Sequence, residues 1–319
     1  MSILNVDELS VQYSTSRGTV KAVSSVDLGL QQGETIGLVG ESGSGKSTLG
    51  LSILRLLPPP GHITSGRAIY NNIDLVTADE AVLQRIRGRE ISMVFQDPSA
   101  TLNPLMRIRD HFLEFYGAHE PDLSRSDATS KAKGLLVQLG IPSERLEDYP
   151  HQLSGGMKQR VCIGLAIALT PRILIADEPT TALDVLVEAQ ILDLLRGLKR
   201  DLNLTLILIT HNMGVVAETA DRIAVMYAGK LVEVGGTRSI FQKPLHPYTE
   251  ALLQSVPNLK KRKQPVKSIP GNPPDLVDPP SGCLFHPRCP YAFEKCVVKH
   301  PPLLSLDDNR QVACYLRCE

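Results

Sequence analysis

The run GLVGESGSGKSTLG, Gly37 to Gly50, limits the folds open to this chain more than any other stretch. A strand-like apolar run, Thr35 to Val39, enters it, and an apolar helical pattern, Thr48 to Leu57, leaves it. Between them Gly40, Gly45, Lys46 and Ser47 keep the spacing G-x-x-x-x-G-K-[ST]. Glycines let successive backbone N–H groups curl around phosphate oxygens, and the helix that follows adds its positive N-terminal end. Lys46 reaches the β- and γ-phosphates, and Ser47 is placed to ligate magnesium. Ser42, Gly43, Ser44 and Thr48 complete the phosphate-facing set. Strand, loop and helix in this order belong to an α/β sheet.

Three more runs, ISMVF at 91–95, RILIAD at 172–177 and TLILIT at 205–210, have the same continuously apolar, β-branched composition. Such strands between helical stretches predict a parallel sheet covered on both faces. A chain of 319 residues buries a sizeable core without disulfides. Its formal net charge is zero, which gives no bulk electrostatic case for nucleic acid or anionic lipid. The first residues, MSILNVDELSVQY, lack the basic and apolar segments of a signal peptide. The longest apolar stretch, Val161 to Asp177, is broken by Thr170, Pro171 and Arg172, so it predicts a buried helix end, a turn and a strand. The expectation is a soluble, cytoplasmic protein.

RILIADEP ends its apolar run on Asp177 and Glu178. An acid at the end of a buried strand can hold magnesium, and its neighbour can polarise an attacking water as general base. LSGGMKQR, Leu153 to Arg160, places Ser154, Gly155 and Gly156 just before a helical stretch. That is a second anion-binding helix start. One nucleotide has no obvious need of two from the same chain, which suggests that a partner chain lends the second.

Together these motifs resemble the nucleotide-binding subunits of ATP-binding-cassette transporters. The resemblance implies a P-loop NTPase core with a parallel sheet, an antiparallel β edge and an inserted helical subdomain. It implies ATP held between two head-to-tail subunits, each site pairing one phosphate loop with the other chain's signature serine and glycines. It assigns Gln96 to sensing magnesium and the γ-phosphate, His211 to contacting the γ-phosphate, Asp184 to the interface and Tyr13 to stacking on adenine. A small-molecule kinase would need neither LSGGM nor TALD, and a non-transport cassette protein usually carries two cassettes or long coiled coils.

A narrower resemblance lies further on. FQDPSATLNPLMRI, PLHPYTEALLQSVP and IPGNPPDLVDPPSGCLFHPRCPYAFEKC are similar to dipeptide and oligopeptide permease ATPases, a subgroup with relatives that move nickel and other small solutes. This implies a second ATPase subunit, a paralogue or an identical copy, two transmembrane permease subunits and an external binding protein, with the chain peripheral on the cytoplasmic membrane face. The expected division is a nucleotide-binding domain over 1–256, its helical subdomain at about 100–153, and a Pro- and Cys-rich metal-binding module over 257–319.

Residues 257–319 hold 11 of the 23 prolines, a basic run KKRK and five of the six cysteines. The KKRK run reads as a solvated linker face. Cys283, Cys289, Cys296, Cys314 and Cys318 are separated by gaps of five, six, seventeen and three residues, whereas structural zinc usually comes with tighter pairs such as C-x₂₋₄-C. Spacing alone leaves an iron–sulfur cluster, zinc and free thiols open. The permease resemblance implies a [4Fe–4S] cluster on Cys283, Cys289, Cys296 and Cys314, with zinc the alternative. Cys318 departs from the matched pattern and competes with Cys314 for the fourth position. Cys162, on a helix after the signature, reads as a small buried hydrophobe.

Overall fold

Each of the four apolar runs contains a strand that is buried along its whole length, while Phe95 and Arg172 fall outside the strands of their runs and are exposed. The structure, a computed structural model, describes residues 2–181, 183–255, 269–306 and 310–317. Its first elements are β1 (Ser2–Thr15), β2 (Gly18–Gln31), β3 (Thr35–Val39), α1 (Lys46–Ile53), β4 (Gly61–Tyr70) and β5 (Ile73–Asp74). Next come α2 (Glu80–Ile86), β6 (Ile91–Val94), α3 (Pro98–Thr101), α4 (Ile108–His119), α5 (Arg125–Gln138), α6 (Gly155–Ile167), β7 (Ile173–Asp177) and α7 (Val185–Leu202). The chain continues with β8 (Thr205–Thr210), α8 (Met213–Thr219), β9 (Arg222–Tyr227), β10 (Lys230–Gly236), α9 (Thr237–Gln242) and α10 (Pro247–Gln254). The tail holds α11 (Glu294–Val298), β11 (Leu304–Ser305) and β12 (Gln311–Val312).

The chain divides into two compact units, residues 1–78 with 208–319, and residues 79–207. The division falls inside β8. The described tail therefore belongs to the same unit as the phosphate loop. In this first unit an antiparallel sheet runs β2-β1-β4-β5. A mixed sheet runs β11-β12-β10-β9-β3, with β3 parallel to β9 and the other pairs antiparallel. A core of Val39, Val216, Ile223, Val225, Tyr248 and Phe285, among others, packs beneath it. Phe285 brings the tail into that core.

In the second unit β6 and β7 pair in parallel. Ile108, Phe112 and Tyr116 of α4 pack with Ala128, Ala132 and Leu136 of α5 and Val161 of α6. Cys162 joins this cluster as expected. It is 4% exposed, and burial, with Asp97 adding, pushes its thiol up to about 12.

One helix is shorter than its apolar pattern. α1 stops at Ile53, before Leu57. Arg55 takes a left-handed φ of 51°, Arg55 N–H donates to Ser52 O and Leu56 N–H to Leu51 O. That closes a Schellman cap, and the prolines from Pro58 cannot extend a helix. Among the described residues no helix is long and apolar enough to cross a membrane.

Candidate functional site

Between β3 and α1 the chain makes its phosphate-binding turn. Gly40, Gly43 and Gly45 have φ of 156°, 76° and 101°, and Gly45 caps α1 in the left-handed region. A Cβ on Gly45 would lie 2.2 Å from Ala22 O, so both the conformation and the space demand glycine. Lys46 is 5% exposed, and its Nζ donates to Gly40 O and Glu41 O, each at 2.9 Å. Ser42 and Gly43 face solvent, Ser44 is buried, and Ser47 and Thr48 are half-buried. Gly45→Ala is expected to raise the Kd for ATP by at least about tenfold, through strain and backbone collision. Unchanged affinity in a nucleotide titration would show that the loop absorbs the methyl group.

Two further elements support this loop. The β9–β10 hairpin turns at Ala228 and Gly229, both with positive φ, and Gly229 N–H donates to Ser44 O at 2.9 Å. Tyr248 of α10 accepts from Glu41 N–H at 2.8 Å. Of the other predicted residues in this unit, His211 is exposed just beyond β8. Asn212 next to it caps α8, accepting from Gly214 N–H and Val215 N–H. Tyr13 is half-buried near the end of β1, paired with Val20 and Gly61, and a Cβ on Gly61 would meet its ring.

The remaining predicted residues lie in the second unit. Gln96 is exposed just after β6. Asp177 ends β7 at 5% exposure. Glu178 follows with a left-handed φ of 44°, and Thr181 Oγ1 donates to its carboxylate at 2.6 Å. Positive φ in a non-glycine residue is costly and is typical of functional turns. Ser154 caps α6, accepting from Met157 N–H at 3.3 Å, with Ser154 and Gly155 exposed. This leaves the first amides of a 13-residue helix facing outward. A Cβ on Gly156 would come within 2.6 Å of Val187 Cγ1. Asp184 caps α7 through Val187 N–H, so the signature helix and the TALD helix start side by side.

In the tail, Cys283, Cys289, Cys296 and Cys314 line one small cavity of about 10 Å³, with His246 and Phe285 beside them. Burial pushes the thiols of Cys283, Cys289 and Cys314 up, Cys314 to about 11, and the other three cysteines add to the rise at Cys314. Cys283 N–H donates to Cys296 O at 2.8 Å, which joins two of the cysteine segments. Tyr248 N–H donates to His246 Nδ1 at 3.0 Å, and burial pushes the pKa of that ring down to about 3. His246 is thus a neutral ring with its proton on Nε2. Among the described residues no three His, Cys, Asp or Glu side chains are grouped so as to hold a metal ion. The expected metal site is in that sense not drawn together; what the tail has is four thiols lining one small cavity. Cys318 and the KKRK run lie outside the described residues.

Sequence reasoning missed the residues that hold the loop from behind. Arg288, Tyr227 and Tyr248 carry no local motif, and only their place in a proline-rich or aromatic context could have drawn notice.

A glycine-rich phosphate loop on a parallel strand, an acidic pair at a strand end and a serine-capped, glycine-started helix define a cassette-type ATPase. Two family models match: "ABC transporter" over residues 23–181 and "Oligopeptide/dipeptide transporter, C-terminal region" over residues 232–296. The chain belongs to the ATP-binding-cassette transporter ATPases, whose domain hydrolyses ATP to power transport. It is 45% identical over 317 residues to the dipeptide transport ATP-binding protein DppD of Escherichia coli, covering 99% of this chain and 97% of that one. It is 44% identical to the oligopeptide transport ATP-binding protein OppD of Bacillus subtilis, covering 98% and 88%. Among solved structures it resembles the dimeric cassette MJ0796 bound to ADP and phosphate, with TM-score 0.66 and 29% identity, over 74% of this chain and 99% of that one.

Proposed function

We propose that the chain is the ATP-hydrolysing subunit of a membrane importer for di- or oligopeptides. The observation that carries this reading is the near full-length similarity to DppD and OppD, through the distinctive C-terminal region. Purification with candidate transmembrane permease subunits, followed by reconstitution, tests the proposal. Peptides are expected to raise ATP hydrolysis and to enter vesicles. Stimulation by nickel or another small solute instead of peptide would favour the other branch of the subgroup.

In this reading the amides of residues 42–46 and Lys46 bind the β- and γ-phosphates, and Tyr13 stacks on adenine. Ser47 offers a hydroxyl, and Gln96 and Asp177 an amide oxygen and a carboxylate, each an oxygen ligand of the hard kind that magnesium takes. Bound there, magnesium would screen the phosphate charge. Glu178 accepts the proton of the attacking water, and His211 contacts the γ-phosphate. Ser154, Gly155 and Gly156 serve the nucleotide of a second subunit, and Asp184 lies at that interface. The outward-facing start of α6 supports this, as does the dimeric form of MJ0796. The partner is a paralogous or identical ATPase, and two permease subunits take the force. The nucleotide-binding domain covers 1–256, with its helical part at about 100–153, and the cysteine-rich segment 257–319 is a metal module on the cytoplasmic side.

The four thiols that line one cavity could supply the four sulfurs a [4Fe–4S] cluster needs, although as they stand they are not yet grouped around it; structural zinc usually comes with closer C-x₂₋₄-C pairs. When bound, the cluster would supply a rigid inorganic centre joining the Cys283, Cys289, Cys296 and Cys314 segments. Anaerobically purified protein is expected to be brown, with about four irons and four sulfides per chain. Cys289→Ser is expected to lose both, and Cys318→Ser to keep them. Stoichiometric zinc without sulfide would overturn the assignment.

A further inference from the structure

We infer that Arg288 is a positioning residue for ATP: it grips Glu41 inside the phosphate loop and so sets how well that loop holds the nucleotide. The inference rests on the nucleotide reading above.

Glu41 lies between Gly40 and Ser42, within the loop itself. Its carboxylate accepts from Arg288 Nη1 at 2.7 Å and from Nη2 at 2.9 Å, a two-pronged charge-assisted contact. The guanidinium is fixed on its other sides. Nε donates to Pro270 O at 2.8 Å, Nη1 also reaches Tyr227 Oη at 3.4 Å, and the group lies 5.8 Å from the Tyr227 ring centre. The Arg288 side chain is 5% exposed and that of Glu41 27%. An arginine held this way has one position to offer, so the carboxylate it grips has one position too.

The grip reaches the phosphate-binding atoms in two steps. Glu41 N–H is bound to Tyr248 Oη at 2.8 Å, and Glu41 O accepts from Lys46 Nζ at 2.9 Å and from Ser44 N–H at 3.2 Å. Glu41 is thus tied outward by its side chain and its N–H, and inward by its carbonyl to the phosphate-binding lysine. Moving its side chain moves the carbonyl that places Lys46. A salt bridge that only fastened the tail could have used any surface acid. This one uses a residue inside the loop, and Cys289 follows Arg288 directly, so the cysteine-lined segment and the loop share one anchor.

The test uses full-length protein with its partner subunits, and reads the ATP affinity together with KM and kcat. Arg288→Met is expected to raise both Kd and KM for ATP about tenfold to a hundredfold, the worth of hydrogen bonds to a charged group, while kcat stays within about threefold. Arg288→Lys keeps the charge but not the fork, and is expected to fall between wild type and Arg288→Met. Glu41→Gln keeps the shape, weakens the fork and is expected to raise KM several-fold. The double variant Arg288→Met/Glu41→Gln is expected to be no worse than Arg288→Met, because both changes act through one contact. If Arg288→Met does not fold, Arg288→Lys and Glu41→Gln carry the test between them. A lowered Tm with wild-type Kd and KM in the folded variants, or fully additive effects in the double variant, would overturn the inference. A wild-type protein that fails to bind Mg-ATP in the same titration would instead overturn the nucleotide reading.

Discussion

Glu178→Gln is expected to leave ATP binding intact and to slow hydrolysis by about 10² to 10⁴, the usual cost of a lost general base. The glutamine matches the carboxylate in size, so the turn that presents it should survive. That turn has a φ of 44° at Glu178, and Thr181 both donates its hydroxyl to the side chain and returns its N–H to Glu178 O. The amide still accepts the Thr181 hydrogen bond, but it cannot take a proton from water at neutral pH. With ATP bound and not turned over, the two-subunit form should accumulate in its closed state. Phosphate release measures the first effect and light scattering with and without ATP the second. Hydrolysis by Glu178→Gln at the wild-type rate would move the base to another residue.

The second large effect is on stability. Glu233 in β10 is fully buried, and Arg310 beside β12 is 4% exposed. The carboxylate accepts from Leu245 N–H at 3.0 Å, His246 N–H at 2.9 Å and the Arg310 guanidinium. Arg310 also donates to Lys243 O at 2.8 Å. Removing one partner of a buried pair leaves an uncompensated charge in a low-dielectric site, at a cost of about 3–5 kcal/mol. Arg310→Met is therefore expected to lower the unfolding midpoint and to free the tail for limited proteolysis. Replacing both partners, Arg310→Met with Glu233→Leu, is expected to recover much of the loss, since no charge is then stranded. A single variant as stable as wild type would show that solvent reaches Glu233 once the arginine has gone.

The strands of the nucleotide core were legible because they are buried on both faces. Every position of TIGLV and TLILIT is buried, and apart from the threonines at their ends the residues are apolar or glycine, so the runs stand out without context. The phosphate loop and the signature were legible for a different reason: binding a polyphosphate with backbone amides requires glycine and small hydroxyl residues at set intervals. The support behind the loop follows no such spacing. Arg288 meets Glu41 across 247 positions of chain, between prolines that show no periodicity. The two-residue β12 extends the sheet at Glu233 and Val234, yet two residues carry no strand signal. The hairpin turn at Ala228 was hidden because alanine seldom adopts positive φ. The helix after the loop was overread because its apolar pattern continues past the point where the prolines end it.

The 247 positions between Glu41 and Arg288 also set an order of events during synthesis. At about 5–20 residues per second, the loop emerges roughly 12 to 50 s before the arginine that braces it. Throughout that interval the growing chain carries a complete phosphate-loop sequence whose acidic residue has no guanidinium to hold it. Ribosome-bound or prematurely terminated chains that stop short of the tail lack the brace altogether. On the inference that Arg288 sets nucleotide affinity, tight binding is expected only of polypeptides that have been made nearly to the end.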